Sequence, residues 1–329
     1  MGLPHTIKRI ALLTSGGDAP GMNACLRAVV RTGISRDIEM FGVYQGYQGL
    51  IEGKFGRLLS HNVSNCIQRG GTILKTARSE EFRTVEGRAK AWNNIQKENI
   101  DALVAIGGDG TFTGASIFSN EYQLPVICVP GTIDNDIFGT DFTIGFDTAN
   151  NTAIDAIDKI RDTADSHCRL FFIEVMGRHA GSIALWAGIG GGAEVVVIPE
   201  KPKSIKELII KLEEGVKNKK ASSIVVVAEG AIDGGAAHLA EVVEQQFSHL
   251  DTKVTVLGHL QRGGSPSCFD RVLASRLGYA AVQALLNGES RKMVGLVSNE
   301  IKLTNLDEVI SKKFVIDNTL IDLVHILSI

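Results

Sequence analysis

Apolar positions along the chain fall into short unbroken runs, and amphipathic segments separate them. Eight runs predict strands, at 7–13 (IKRIALL), 38–43 (IEMFGV), 101–107 (DALVAIG), 125–130 (PVICVP), 170–176 (LFFIEVM), 194–199 (EVVVIP), 223–229 (SIVVVAE) and 253–259 (KVTVLGH). Segments near 22–33, 86–99, 112–121, 148–165, 204–218, 236–248 and 268–287 carry helical spacing. The strand runs are continuous Val, Ile and Leu rather than alternating. That pattern means burial on both faces, hence a mostly parallel sheet covered by helices. The fold class is α/β of the open, doubly wound kind, and eight or more strands in 329 residues predict two such sheets.

Composition changes this picture little. Hydrophobic residues make up 44% and charged residues 22%, with a net charge of −3. That balance argues against a protein whose main partner is nucleic acid. No apolar stretch reaches the ~18 residues of a membrane span, and the opening residues lack a long apolar signal region, so a cytoplasmic protein is expected. Cys25, Cys66, Cys128, Cys168 and Cys268 form no CxxC pair and read as free thiols in a reducing compartment.

Open α/β sheets bind ligands beyond the carboxyl ends of their strands, so the candidate chemistry lies in the loops there. After the first strand, TSGGDAPGMN (14–23) offers Ser15, Gly16, Gly17 and Gly21 in a turn that opens a helix. Free amides at a helix start suit an anion. After the third strand, GGDGTFTGA sets Asp109 among Gly107, Gly108 and Gly110, just before Thr111. A single carboxylate there can hold Mg²⁺ beside phosphates or cap the helix. PGTIDND (130–136) puts Asp134 and Asp136 after a core strand, with Gly131 and Thr132 beside them. Asp134 can accept a proton from a hydroxyl there; the alternative is a pair of acids in a capped turn. Arg169, Arg178, Glu229, Lys253, His259, Gln261 and Arg262 stand around later strands. Each alone reads as a surface charge or a satisfied structural group; together at strand ends they form a basic arc suited to a sugar phosphate. GxxxxGK[ST] is absent, and GIGGGA (188–193) precedes a strand where a dinucleotide fingerprint would come after one, so it reads as a close-packed turn.

The segments LTSGGDAPGMNA, GGT…ARSEEFR, IGGDGT, PGTIDND, FDTA, EVMGRHAG, AEG and VLGHLQRGGSP, in this order from about Ile7 to Asn299, resemble the bacterial-type ATP-dependent phosphofructokinase family. The resemblance implies two Rossmann-like three-layer domains with the active site in the cleft between them. A larger ATP-binding domain would comprise 1–144 and 260–310, and a smaller fructose 6-phosphate-binding domain 145–259 and 311–329. It implies phosphoryl transfer from ATP to the 1-hydroxyl of fructose 6-phosphate, the committed step of glycolysis. Asp134 would be the general base, Asp109 the Mg²⁺ ligand, Arg78 and Arg178 charge stabilisers, and Thr132 a further catalytic group. Gly17, Arg78, Ser79, Gly108, Asp109, Gly110 and Thr111 would line the ATP site. Thr132, Ile133, Asp134, Arg169, Met176, Gly177, Arg178, Glu229, Lys253, His259, Leu260, Gln261 and Arg262 would hold the sugar phosphate. In the family, Arg169 and position 253 reach the site from a neighbouring subunit, which implies a homotetramer. An effector site for ADP or phosphoenolpyruvate would use Arg27, Arg31, Ser60, Arg161, Gly192, Glu194, Asn218 and Lys220.

Some positions depart from the family pattern. Lys253 stands where Arg is usual and cannot make a guanidinium fork. Ser60 and Asn218 stand where basic residues are common, which implies a blunted ADP response. Pyrophosphate-dependent relatives generally carry Asp at the position of Gly110 and Lys at that of Gly131. An Asp at 110 would repel the α-phosphate of ATP, and a Lys at 131 would replace the missing nucleotide charge. Gly at both positions favours ATP. The alternatives are a pyrophosphate-dependent enzyme and a catalytically silent nucleotide-sensing homologue. Lipid and nicotinamide-dinucleotide kinases share GGDGT, but would leave PGTIDND and LGHLQRGG unexplained.

Overall fold

The computed structural model describes residues 7–167, 170–202, 205–217, 223–246 and 251–327. In chain order the first elements are β1 (Arg9–Thr14), α1 (Met22–Ile34), β2 (Glu39–Val43), α2 (Gly46–Glu52), β3 (Phe55–Leu58), α3 (Val85–Lys97), β4 (Ala102–Gly107), α4 (Asp109–Tyr122) and β5 (Val126–Pro130). Then come α5 (Phe146–His167), β6 (Leu170–Val175), α6 (Ser182–Gly190), β7 (Val195–Val197), α7 (Ile205–Lys217), β8 (Ser223–Ala228), α8 (Gly235–Gln246) and β9 (Thr252–Val256). The chain closes with α9 (Cys268–Leu286), β10 (Lys292–Val297), β11 (Glu300–Asn305), α10 (Leu306–Ser311) and α11 (Asn318–Leu327).

Two compact units result. One comprises 1–132, 137–147 and 262–314; the other comprises 133–136, 148–261 and 315–329. The first unit holds a seven-stranded sheet in the order β11-β10-β5-β4-β1-β2-β3. Its centre is parallel, with β1 flanked by β2 and β4, and β4 paired to β5. Both edges are antiparallel hairpin-like pairs, β2–β3 and β10–β11. The second unit holds a four-stranded parallel sheet in the order β7-β8-β6-β9. The fold class read from the continuous apolar runs is therefore the observed one.

Burial explains those runs. All residues of β4 and β5 are buried. Ala11, Leu13, Leu103, Ala105, Val126 and Cys128 share one apolar cluster with side chains of α2, α3, α4 and α10. The alternate residues face the other way, where α1 and α9 pack together and against β2, β5 and β10. In the second unit, Phe172, Val195, Val197, Val225 and Val227 pack with Leu208 and Leu212 of α7 and with Leu239 and Val243 of α8.

Elements without a strong local pattern escape the sequence reading. β3 is a four-residue edge, and β11 is an edge strand with most of its residues exposed. α6 is apolar all round and glycine-bearing. Its last turn takes in Gly188–Gly190, the first half of the GIGGGA segment read as a turn. A β-carbon on Gly188 would lie 2.3 Å from Val196 Cγ2, so glycine there lets α6 lie close on β7.

One partly buried ion pair, with Arg88 buried and Glu121 at the surface, ties α3 to α4. Arg88 Nε and Nη2 donate to the two Glu121 carboxylate oxygens at 2.6 Å each, and Nη1 donates to the carbonyls of Phe82 and Arg83. Arg88→Met leaves two carbonyls and a carboxylate short of donors. The expected loss is about 2 kcal/mol of stability, mainly from carbonyls left without donors, since the surface carboxylate can turn to water. Trp92 stacks on Tyr122 beside it at 5.0 Å between ring centroids, so tryptophan fluorescence during urea unfolding measures the loss.

Cys25, Cys66 and Cys128 are buried free thiols and Cys268 is exposed. Burial pushes the Cys25 and Cys128 thiols well up. Cys168 lies outside the described residues. Among those described, no helix is long and apolar enough to cross a membrane.

Candidate active site

In the first unit, the loops after β1 and β4 meet. Ser15 N donates to Ile106 O at 3.0 Å, extending the β1–β4 ladder by one residue. The chain then turns through Gly16, whose φ of 84° is a left-handed conformation that favours glycine. β4 ends at Gly107, where a β-carbon would lie 2.3 Å from Thr111 Oγ1 and 2.5 Å from Ser15 O. Only glycine at 107 lets the two loops approach so closely.

α4 starts at Asp109, three residues before the expected 112, because the flanking glycines hide its first turn from a propensity reading. Gly108 is its N-cap, so Asp109 stands in the first turn at the positive end of the helix dipole. Asp109 and Gly110 are exposed. A β-carbon on Gly110 would meet nothing within 4 Å. The Thr111 hydroxyl is buried and has no hydrogen-bond partner; it lies 3.6 Å from the β-carbon position of Gly16. An exposed carboxylate, an open glycine and an unsatisfied hydroxyl thus gather at the positive end of one helix. The arrangement is chemically an anion cradle.

The loop before α3 is drawn onto the same turn. Asn23, buried in α1, donates through Nδ2 to Arg69 O and Gly70 O at 3.0 and 3.2 Å and accepts from Ile73 N at 2.8 Å. Thr14 Oγ1 shares a hydrogen bond with Thr72 Oγ1 at 2.9 Å and donates to Lys75 O. Asn23 was only the last letter of the first glycine motif in the sequence; its use as a three-way tie depends on the packing of α1. Arg78 is exposed beyond this loop. The Ser79 hydroxyl donates to Gln48 Oε1 and accepts from Phe82 N, so it braces the loop.

Arg262 packs in this unit. A β-carbon on Gly17 would lie 2.4 Å from its Nη1, which donates to Asp18 O at 3.2 Å. The guanidinium therefore rests on the first glycine turn. Thr132 Cβ stands 3.8 Å from the β-carbon position of Gly108, and its carbonyl accepts from the Thr143 hydroxyl.

In the second unit, Ile133, Asp134 and Asn135 are buried, and Asn135 has a left-handed φ of 49°. Beyond β6, Gly177 adopts φ 149° and Arg178 φ 55°. A β-carbon on Gly177 would meet Ala180 O at 2.3 Å, and one on Gly230 would meet Arg178 O at 2.1 Å. Glu229 N donates to Val175 O at 2.9 Å. The turns bearing Met176, Gly177, Arg178 and Glu229 are thus packed together, with Arg178 and Glu229 exposed. His259 and Leu260 are exposed in the turn after β9.

Two expected members of the arc, Gln261 and Lys253, stand differently. Gln261 is fully buried: its Oε1 accepts from Met176 N and its Nε2 donates to Ala149 O, so it faces inward rather than toward a ligand. Lys253 is exposed at the start of β9, paired with Asp251. Three residues of strand, roughly 10 Å, separate it from that strand's carboxyl end at Val256. It is therefore not a strand-end residue, as the arc assumed. Arg169 lies outside the described residues.

The effector candidates divide between the units. Arg27 and Arg31 are one turn apart on α1, where their charge opposes the burial that raises the Cys66 thiol; exposed Ser60 lies in the same unit. In the other unit, Arg161 donates to Gly191 O and Gly192 O, and Glu194 accepts from Ile224 N at 2.6 Å. Asn218 and Lys220 lie outside the described residues.

The phosphofructokinase family profile matches residues 9–285. An ATP-dependent 6-phosphofructokinase of Thermus thermophilus is 56% identical over 323 residues, covering 98% of this chain and 100% of that protein. A solved phosphofructokinase from Saccharomyces cerevisiae superposes with a TM-score of 0.88 at 40% identity, over 92% of this chain and 45% of the yeast chain. This chain therefore spans under half of that longer relative. A pyrophosphate-dependent phosphofructokinase from Marinobacter aquaeolei superposes with a TM-score of 0.84 at 25% identity, over 98% of this chain and 91% of its own. By profile, sequence and fold alike, this chain belongs to the phosphofructokinase family.

Proposed function

We propose that this chain transfers the γ-phosphoryl group of ATP to the 1-hydroxyl of D-fructose 6-phosphate, giving fructose 1,6-bisphosphate and ADP. The observation that carries the reading is the meeting of the β1 and β4 glycine turns at the start of α4, with Asp109 in its first turn and the Thr111 hydroxyl unsatisfied. Phosphoryl transfer asks a protein for positioning and charge stabilisation more than covalent chemistry, and this cradle supplies both.

The unit built on β1–β5 and β10–β11 binds ATP, and the unit built on β6–β9 binds the sugar phosphate. Gly17, Gly108, Gly110 and Thr111 let the nucleotide phosphates approach the backbone. Asp109 would hold Mg²⁺. Its exposed carboxylate beside open space at Gly110 fits an ion shared with phosphate oxygens. Among the described residues there is no group of three or more His, Cys, Asp or Glu that could cage it alone. When bound, the ion supplies charge neutralisation on the phosphates. Asp134 takes the proton of the sugar hydroxyl. Arg78 and Arg178 stabilise charge on the transferred group. Thr132 adds a hydroxyl, and Ser79 steadies the loop bearing Arg78. Met176, Gly177, Glu229, His259 and Arg262 orient the sugar phosphate. Lys253, near the amino-terminal end of edge strand β9, and Arg169 serve a neighbouring subunit of a homotetramer.

The test is a coupled assay for fructose 1,6-bisphosphate with ATP or pyrophosphate as donor. Turnover with ATP and none with pyrophosphate is the expected result; the reverse sinks the assignment of donor, and neither sinks the reading. Adding ADP in the same assay is expected to give at most weak activation, because Ser60 brings no positive charge to the effector site. Strong activation at micromolar ADP would contradict this.

A further inference from the structure

The buried side chain of Gln261 interrupts an otherwise exposed turn. His259 and Leu260 on one side of it are exposed, whereas Gln261 has no exposed surface. Its amide bonds two other segments of the same unit. Oε1 accepts from Met176 N at 2.8 Å, and Nε2 donates to Ala149 O at 3.3 Å. The first bond stands where the β6–β9 ladder stops. Leu257 N donates to Glu174 O, the last backbone bond of that pair, and Met176 N is the next donor along β6. The side chain thus takes the place of the strand neighbour that β9 no longer provides.

Past Met176 the chain enters a turn with little freedom. Gly177 and Arg178 hold left-handed conformations, and the carbonyls of Ala180 and Arg178 crowd the α-carbons of Gly177 and Gly230. Gln261 fixes the peptide that enters this turn. We propose that Gln261 is a positioning residue: it touches no substrate, and it sets the substrate-facing turn at Met176–Arg178 by coupling it to the turn after β9 and to the start of α5. The proposal rests on the assignment of Met176, Gly177 and Arg178 to the sugar phosphate. Without the amide, Met176 N loses its partner in a buried place, a loss that the protein relieves by shifting the turn.

Gln261→Leu removes both bonds at similar size. Gln261→Glu keeps an acceptor for Met176 N but sets a carboxylate against the Ala149 carbonyl. Steady-state kinetics with fructose 6-phosphate and ATP, together with thermal melts, make the test. The expected order of KM for fructose 6-phosphate is Leu above Glu above the parent, with about a 10-fold rise for Gln261→Leu. In the same variants kcat falls by a smaller factor than the KM for fructose 6-phosphate rises, through Arg178, and KM for ATP is unchanged. A KM for the sugar phosphate within twofold of the parent in both variants overturns the proposal. So does a parallel change in kcat and both KM values, the mark of a generally loosened fold. Should Gln261→Leu fail to fold, Gln261→Glu decides alone: a raised sugar-phosphate KM with an unchanged ATP KM supports the proposal, and an unchanged one overturns it. A parent protein inactive on fructose 6-phosphate would instead fault the functional assignment on which this rests.

Discussion

Asp134→Asn is expected to lower turnover by ~10²–10⁴ while leaving the KM for both substrates within a few-fold of the parent. The size reflects the removal of one general base, and the selectivity reflects the place the residue occupies. Asp134 is buried in the loop after β5, next to Asn135 in its left-handed conformation. Asparagine keeps the shape and the acceptor oxygen, so the loop keeps its form and the ligands keep their contacts. What is lost is the ability to take the hydroxyl proton as the bond to phosphorus forms. That interaction belongs to the transition state, so its loss shows in kcat and equally in kcat/KM. Stopped assays with fructose 6-phosphate and ATP, alongside a thermal melt, measure it. Near-normal turnover in a folded variant would remove Asp134 from the mechanism.

Gly110→Asp is expected to cut kcat/KM for ATP by about 10²–10³-fold with no loss of stability. Two negative charges about 4 Å apart near a protein surface repel by roughly 4 kcal/mol, and the α-phosphate of a nucleotide in the α4 cradle would face such a charge. The fold does not resist the change, because a β-carbon at 110 meets nothing within 4 Å. Gly131→Lys behaves oppositely. A β-carbon there would lie 3.0 Å from Ile106 Cγ2 and 3.1 Å from Met22 Cε, both on fully buried residues. The lysine stem would start in close-packed apolar surroundings, and about 1–3 kcal/mol of overpacking strain is expected. The expectation that lysine at 131 simply supplies a charge to the donor site therefore does not hold without repacking Met22. Donor-varied kinetics and melts on the two single variants separate the effects. A Gly110→Asp protein that uses ATP as well as the parent would show that the α-phosphate lies elsewhere.

The sheet order illustrates how far local pattern reaches. The unbroken apolar runs identified β1, β2, β4, β5 and β6–β8, since each is buried on both faces and carries that fact in nearly every residue, and they identified β9 although that edge strand is largely exposed. β3, β10, β11, α2, α6, α10 and α11 carry weaker local signals and emerged only in the folded chain. The glycine turns were legible because a tight turn or close backbone approach restricts residue type at the position itself. The partners of those turns were not. Arg262 lies 245 residues from Gly17 in the chain, counted from their numbers, yet its guanidinium rests on that glycine.

By itself the sequence determined the fold class, the two glycine-lined strand ends, and the carboxylates and cations available there. These are properties of residue type and short-range order, which the chain carries wherever it goes. Tertiary structure alone decided which groups face a ligand and which face inward. It buried Gln261 against Met176 and Ala149, left Lys253 near the amino-terminal end of an edge strand, and turned Asn23 into the tie for the loop that leads to Arg78. Each of these outcomes is set by contacts between segments dozens to hundreds of residues apart, and no local periodicity encodes the direction in which a polar side chain finds its partner.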